Sequence, residues 1–230
     1  VLFHGHPIAA VAARTEEIAE KACELIEVDY DVHPWAIEID DAIKPDAPIL
    51  HDFIKFDGKP SNIAGTLEHK KGNIEEGFKD ADIIIEKEFE TAAVHQGYLE
   101  THACLVSVSP DDKTTIWSSS QGQFMVRAMT SFITGIPQSS IRAIPAEIGG
   151  GFGGKTIVYL EPVATILSKK SGRPVKMVMT REEVMRASGP TSGSKSKVKI
   201  GAKNNGKITA AQGTFYLQAG AFPGAPIRGA

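Results

Sequence analysis

Ile148-Gly149-Gly150-Gly151-Phe152-Gly153-Gly154-Lys155-Thr156 places five glycines within six positions. Without a Cβ, glycine admits positive φ and the close approach of another group. Consecutive free N–H groups in such a run can form a concave nest for an anion. The next segment, Tyr159-Leu160-Glu161-Pro162-Val163-Ala164-Thr165, reads as a helix over 159–170 closed by Gly172. Pro162 is admissible there because it falls in the first turn. A glycine loop running into a helix N-terminus suits phosphate. Residues 149–156 also satisfy G-x-x-x-x-G-K-[ST], the nucleotide P-loop pattern. The plain alternative is a flexible surface turn, although turns seldom need so many glycines.

The flanking segments bear on this choice. A nucleotide P-loop needs a buried strand that ends at its first glycine. Here the strand expected at 141–144 is followed by Pro145, Ala146, Glu147 and Ile148. A magnesium-holding Asp should end an apolar strand. The strand at 175–179 ends without one, and Asp82 precedes its apolar run.

Further upstream, Gln121 opens a helix over 123–134 that ends at Gly135. Residues 104–109 and 115–119 alternate and form a hairpin about Pro110-Asp111-Asp112-Lys113. Asn73 caps a short helix over 74–79, and residues 83–91 form a strand. Downstream, residues 181–184 make a helical turn, and 195–202 with 208–219 form a long hairpin about Asn204-Asn205-Gly206. Lys195, Lys197 and Lys199 alternate with Val198 and Ile200, which marks a solvated strand face.

The N-terminal stretch has a different pattern. Residues 7–12 read as a buried strand. Thr15 caps a helix with Ile18, Ala22 and Leu25 on one face, and residues 27–30 return as a strand. Residues 1–43 form a small α/β unit, and residues 44–72, rich in Pro and Gly without a sustained period, form a linker. Residues 73–230 form a second domain with mixed sheets, so the fold class is α+β.

Composition excludes several function classes. The chain has 230 residues, 42% hydrophobic and 23% charged, with a net charge of −3. That balance points to neither nucleic acid nor an anionic membrane as partner. No apolar run approaches the ~18–20 residues needed to cross a bilayer. Cys23 and Cys104 read as buried free thiols, which fits a reducing cytoplasm. With no C-x-x-C, the chain supplies no iron–sulfur ligand set. His95 and His102 are seven apart with no second pair, so a zinc site is not expected. His51 and His69 read as surface histidines. The chain starts without Met and stops inside an apparently continuing segment, so a piece of a longer protein is expected.

Several segments, in order, resemble the xanthine oxidase/aldehyde oxidase family of molybdenum hydroxylases. Thr115-Ile116-Trp117-Ser118-Ser119-Ser120-Gln121 is similar to the family's strand-then-glutamine motif. Leu99-Glu100-Thr101-His102 is similar to its glutamate-x-histidine segment, and residues 149–155 to its glycine loop. Residues 172–177 and 180–183 resemble the strand and turn that follow. Residues 7–13 and 26–30 resemble its small hammerhead domain.

The resemblance implies the C-terminal part of a hammerhead domain over 1–43, then the first part of a molybdopterin-binding domain over 73–230. It implies a molybdenum ion on a pterin dithiolene that oxidatively hydroxylates an electron-poor carbon. Gln121 would donate its amide to an oxygen ligand of the metal. Phe152 would lie beside the metal ligands, and Gly150, Gly151 and Gly153 would let the backbone approach. Thr156 stands where purine-oxidising members carry a glutamate. An aldehyde or another aromatic heterocycle therefore fits better than xanthine. Arg228 falls near the family's substrate-facing arginine. The general-base glutamate is expected beyond Ala230, so no catalytic residue is expected in this chain, and the chain alone should be inactive. A 2Fe-2S centre and FAD would sit on partner domains, in an iron–sulfur subunit and a flavin subunit, with the remainder of the large subunit completing the site. The other functions open at this point are a non-catalytic assembly or binding domain of the same fold, and a P-loop NTPase.

Overall fold

The computed structural model describes residues 1–222. In chain order its elements are α1 (Glu16–Glu24), α2 (Ile39–Ala42), β1 (Lys55–Phe56), β2 (Lys59–Pro60), α3 (Ile74–Lys79), β3 (Ile83–Thr91), β4 (Ala103–Val108) and β5 (Thr114–Ser118). They continue with α4 (Gln123–Thr134), β6 (Ile141–Pro145), α5 (Glu161–Ser171), β7 (Val175–Val178), α6 (Arg181–Ala187), β8 (Ser194–Ala202) and β9 (Ile208–Leu217). The chain divides into two compact units. One comprises residues 1–30 and 95–190, the other residues 31–94 and 191–222.

The first unit is built on a four-stranded mixed sheet in the order β6-β5-β4-β7. β4 pairs antiparallel with β5 and with β7, while β5 pairs parallel with β6. The parallel pair needs a crossover, and α4 supplies it. Alternation decides which side chains face inward. Cys104, Val106 and Val108 of β4 and Ile116 of β5 are buried. They pack with Val126 of α4, Ala164 of α5, Ile136 and Ile141 into one apolar cluster. α4 stops where Gly135 takes φ 75°, a left-handed conformation that costs glycine little. Thr180 and Glu183 form a reciprocal capping box that starts α6.

The second unit holds a three-stranded antiparallel sheet, β3-β8-β9. Lys195, Lys197 and Lys199 stand directly opposite Glu90, Glu88 and Glu86. The lysine face is solvated, as the alternation predicts, and it is paired across the strands, with Lys197 Nζ 3.0 Å from Glu86 and 3.3 Å from Glu88. Asn73 caps α3 by accepting from the N–H groups of Glu75 and Glu76. Residues 44–72 carry the two-residue strands β1 and β2, joined by Asp57 and Gly58. Asn62 fastens this stretch, donating to the carbonyls of Ala42 and Pro48 and accepting from Leu50 N–H.

Some expectations fail. Residues 7–12, a continuous apolar run, and residues 27–30, which alternate, are not strands. A strand exists through its ladder, and these segments find no ladder partner among the described residues. α1 forms under its Thr15 cap, yet Ile18 and Leu25 on its apolar face are exposed. Cys23, on the same helix, is exposed and not buried, whereas Cys104 is buried as expected. α5 begins at Glu161 and not Tyr159, so the glycine loop does not run directly into a helix N-terminus.

Candidate functional site

The glycine loop lies in the first unit, against the segment 98–102 and the end of β5. Three features set its shape. Gly150 and Gly153 take φ of 97° and 89°, and Phe152 between them takes φ 47° although it carries a side chain. Such a conformation is uncommon for a non-glycine residue and persists where surrounding bonds hold it. Phe152 is 74% exposed, so it is held by its backbone and not by burial of the ring. Gly154 N–H donates to Gly151 O at 2.7 Å, which closes the turn beneath it.

Gln121 reaches this loop from the turn after β5. Its Oε1 accepts from Gly153 N–H at 3.0 Å and from Lys155 N–H at 3.1 Å. Its own N–H donates to Lys155 O at 2.9 Å. Two backbone donors can be met only by the carbonyl end of an amide, so the orientation of the side chain is determined by chemistry. The Nε2 amino group has no protein partner among the described residues and is left to donate. Gly151 is where this approach needs glycine. A Cβ there would stand 2.5 Å from Gln121 Oε1 and 2.6 Å from Cδ.

Lys155 faces the other way. Its side chain is fully buried, and Nζ donates to Glu100 Oε2 at 2.6 Å and to Thr101 O at 3.4 Å. Nζ also lies 5.0 Å from the centroid of the Tyr98 ring, in cation–π range. Glu100 Oε2 accepts a second bond from Gly149 N–H at 2.8 Å, and Glu100 N–H donates to Gly149 O at 3.1 Å. Burial pushes the Glu100 carboxyl up, but the bonds from Lys155 and Gly149 outweigh it and hold the group below the usual carboxylate range. This arrangement overturns the P-loop reading. A P-loop lysine must reach a nucleotide phosphate, and Lys155 is sealed inside against a carboxylate.

A buried polar network supports the segment 98–102. Tyr98 Oη lies 2.6 Å from His102 Nε2 and 3.2 Å from Ser188 Oγ. Ser188 Oγ in turn donates to Val184 O and lies 2.9 Å from His95 Nε2. Burial, then the nearby Lys155 charge, lower His102 to about 4, so the ring is neutral near pH 7. Arg181 donates to the carbonyls of Tyr98 and Leu99, tying the start of α6 to the same segment. Beneath the loop, Ser118 Oγ donates to the buried Glu161, which also accepts from Tyr159 N–H.

The structure thus brings together Gln121, Gly150, Gly151, Phe152, Gly153 and Thr156, with Thr156 Oγ1 donating to Gly153 O at 2.9 Å. Arg228 lies outside the described residues. Glu100, Tyr98 and Arg181 were not singled out as site residues from the sequence. The available signal was a lysine embedded in a glycine loop, which needs a counter-charge if it turns inward. Among the described residues, no cluster of three or more His, Cys, Asp and Glu is placed to hold a metal ion. The donor set fits an electron-rich group: a free amide N–H₂ on Gln121, beside a loop whose glycines leave its outer face open.

Comparison with known proteins gives the family. Residues 55–228 match the molybdopterin cofactor-binding domain model, and residues 1–34 match the aldehyde oxidase and xanthine dehydrogenase a/b hammerhead domain model. The chain is 35% identical to a probable xanthine dehydrogenase component of Bacillus subtilis, over 96% of this chain and 29% of that protein. It is 32% identical to a probable hypoxanthine oxidase of Escherichia coli, over 95% of this chain and 26% of that protein. Among solved structures, a Cu,Mo-CO dehydrogenase superposes with a TM-score of 0.75 at 30% identity, covering 87% of this chain and 26% of that one. The quinoline 2-oxidoreductase of Pseudomonas putida 86 shares the fold, with a TM-score of 0.78 at 22% identity. The chain therefore spans 26% and 29% of the length of these two curated relatives. The mixed-sheet unit, the inward lysine and the glutamine-braced glycine loop belong to a chain of the molybdenum hydroxylase large-subunit family.

Proposed function

We propose that this chain forms one wall of the molybdenum cofactor pocket in an oxidative hydroxylase. Residues 1–43 would be the C-terminal part of its hammerhead domain, 44–72 a linker and 73–230 the first part of its molybdopterin-binding domain. The bound cofactor would supply the redox chemistry that oxidises and hydroxylates an electron-poor carbon. Gln121 would offer its Nε2 donors to an electron-rich ligand of the metal, in a preorganised geometry that needs no reorganisation during reaction. Phe152, Gly150, Gly151 and Gly153 would line the approach. The observation that carries this reading is the pair of backbone bonds locking Gln121 Oε1, which commits the amide nitrogen to a partner outside the protein.

Thr156 would face the substrate side, and its hydroxyl proton is already given to Gly153 O. It has no carboxylate to offer a purine ring, so we assign an aldehyde or another aromatic heterocycle in preference to xanthine. Arg228 is proposed as a substrate-side residue on sequence grounds. A cytoplasmic enzyme with an iron–sulfur subunit and a flavin subunit as electron partners belongs to the same reading, since the chain's two cysteines are too few for the four thiolates that hold a 2Fe-2S cluster.

The test is metal and pterin analysis of the full-length enzyme beside the isolated 230-residue chain. Stoichiometric molybdenum and pterin are expected in the former and none in the latter, with turnover of aldehydes or heterocycles exceeding that of xanthine. A metal-free full-length enzyme would point to a non-catalytic domain. Xanthine as the best substrate would remove the role given to Thr156.

A further inference from the structure

We propose that Glu100 and the buried Lys155 form a latch that positions Gln121 towards the cofactor side, so that Glu100, itself half-buried, acts on the reaction through the glycine loop without touching substrate. The inference rests on the cofactor-pocket reading and assigns a role to two residues that the reading leaves unused.

The argument follows the bonds. Glu100 holds both ends of the loop. Its Oε2 takes Gly149 N–H at 2.8 Å at one end and Lys155 Nζ at 2.6 Å at the other, and its backbone N–H returns a bond to Gly149 O. Lys155 then transmits this fixation. Its N–H donates to Gln121 Oε1, and its carbonyl receives Gln121 N–H and the Ser120 hydroxyl. Gln121 therefore sits on the backbone of the residue whose side chain Glu100 anchors. The anchor is rigid on every side. Nζ is fully buried, lies over the Tyr98 ring, and takes Thr101 O as a further acceptor. Arg181 pins the backbone on which Glu100 stands through the carbonyls of Tyr98 and Leu99. The fit is close. A Cβ on Gly149 would stand 2.6 Å from Glu100 Cβ, and one on Gly154 would stand 2.7 Å from Tyr98 Cε1.

A buried ion pair is weak evidence for stability in itself, because desolvation offsets attraction. Removing one partner is a different matter, since it strands the other charge. In Glu100→Gln the Lys155 ammonium keeps its burial and loses its counter-charge, so the lysine must move, and its backbone bonds to Gln121 move with it. In the double variant Glu100→Gln/Lys155→Met neither charge remains, and the amide oxygen still accepts from Gly149 N–H.

The experiment uses the molybdenum-loaded full-length enzyme and reads molybdenum content, the molybdenum(V) electron paramagnetic resonance signal, and kcat and KM separately. Gln121→Leu should shift the resonance signal and lower kcat by about 100-fold, the usual scale for one preorganised donor. Glu100→Gln should shift the signal in the same sense at full metal content, lowering kcat by about 10-fold with little change in KM. The double variant should recover most of both. Glu100→Asp, which keeps the charge one methylene short, should show an intermediate shift, and it carries the test if Glu100→Gln fails to fold. A wild-type signal and kcat in the foldable Glu100 variant, beside a shifted Gln121→Leu, would overturn the latch and leave the pocket reading standing. No shift in Gln121→Leu would overturn the pocket reading itself, and the latch with it.

Discussion

Gly151→Ala isolates the contact on which the site is built. Gly151 is not in the positive-φ region, so alanine there carries no backbone penalty. Its Cβ would stand 2.5 Å from Gln121 Oε1, 2.6 Å from Cδ and 2.9 Å from Cγ. Ordinary contact needs about 3.5 Å, so the amide must retreat by roughly 1 Å. That retreat breaks both bonds to Oε1, now 3.0 and 3.1 Å long. Gly153 is exposed, and water can replace its lost partner, whereas Lys155 is buried and its N–H is left unsatisfied. One ordinary bond and one orphaned donor together cost about 2 kcal/mol. In a cooperative unit of about 150–250 residues that lowers Tm by roughly 4–8 °C. Gly153→Ala is the matched control. A Cβ there meets nothing within 4 Å, and its penalty comes only from φ 89°, about 1 kcal/mol. Scanning calorimetry of the full-length enzyme, read at the transition of this domain, and kcat together separate the two effects. Gly151→Ala should lose more stability and more kcat than Gly153→Ala. A Gly151→Ala enzyme that melts within about 1 °C of the parent and keeps its kcat would refute the placement of Gln121 under the loop.

Two further outcomes follow from groups away from the loop's outer face. His102 is depressed to about 4 in the folded protein against 6.5 when free. Its contribution to stability is therefore complete above pH 6.5 and is lost as pH falls towards 4, because the unfolded chain takes up the proton first. Between pH 7 and 5 this amounts to about 2 kcal/mol, measurable by urea unfolding, and His102→Gln should flatten that part of the profile; an unchanged slope would contradict the buried neutral ring. The two thiols should also differ in reactivity. Cys23 is exposed and should label rapidly with a disulfide reagent in the native protein, while Cys104 is buried, its thiol pushed up by burial, and should label only on unfolding; rapid labelling of both would contradict the packing of β4.

The elements of the first unit were legible because each carries a local signal. Alternation marks β4 and β5, Gly135 ends α4, and Pro162 with Gly172 brackets α5. The solvated lysine face was legible from three alternating lysines, but their pairing with glutamates more than 100 positions away was not. The N-terminal strands were misread because an apolar run or an alternation reports which residues are suited to pairing, and pairing needs a second strand that the described residues do not provide. Cys23 was misread for a related reason: a helix face reads as buried from its period, yet burial is decided by what packs on it. Glu100 was visible as a residue but not as a partner. Nothing local says that a carboxylate 55 positions before a lysine will neutralise it.

The glycine loop shows why a motif match has to be argued through its side chains. The same eight residues satisfy a phosphate-binding pattern and a cofactor-loop pattern, and the backbone requirements of the two overlap, since both need glycines for close approach. They differ in the direction of one side chain. A phosphate loop turns its lysine outward to an anion supplied by the ligand. Here the anion is supplied by the protein, and Glu100 draws Lys155 inward until its side chain is wholly buried. With the cation consumed inside, what remains at the outer face is a neutral donor, the Gln121 amide. A neutral donor polarises an electron-rich ligand without attracting free phosphates. The phosphate-loop reading of the motif thus fails on Glu100, a residue outside it.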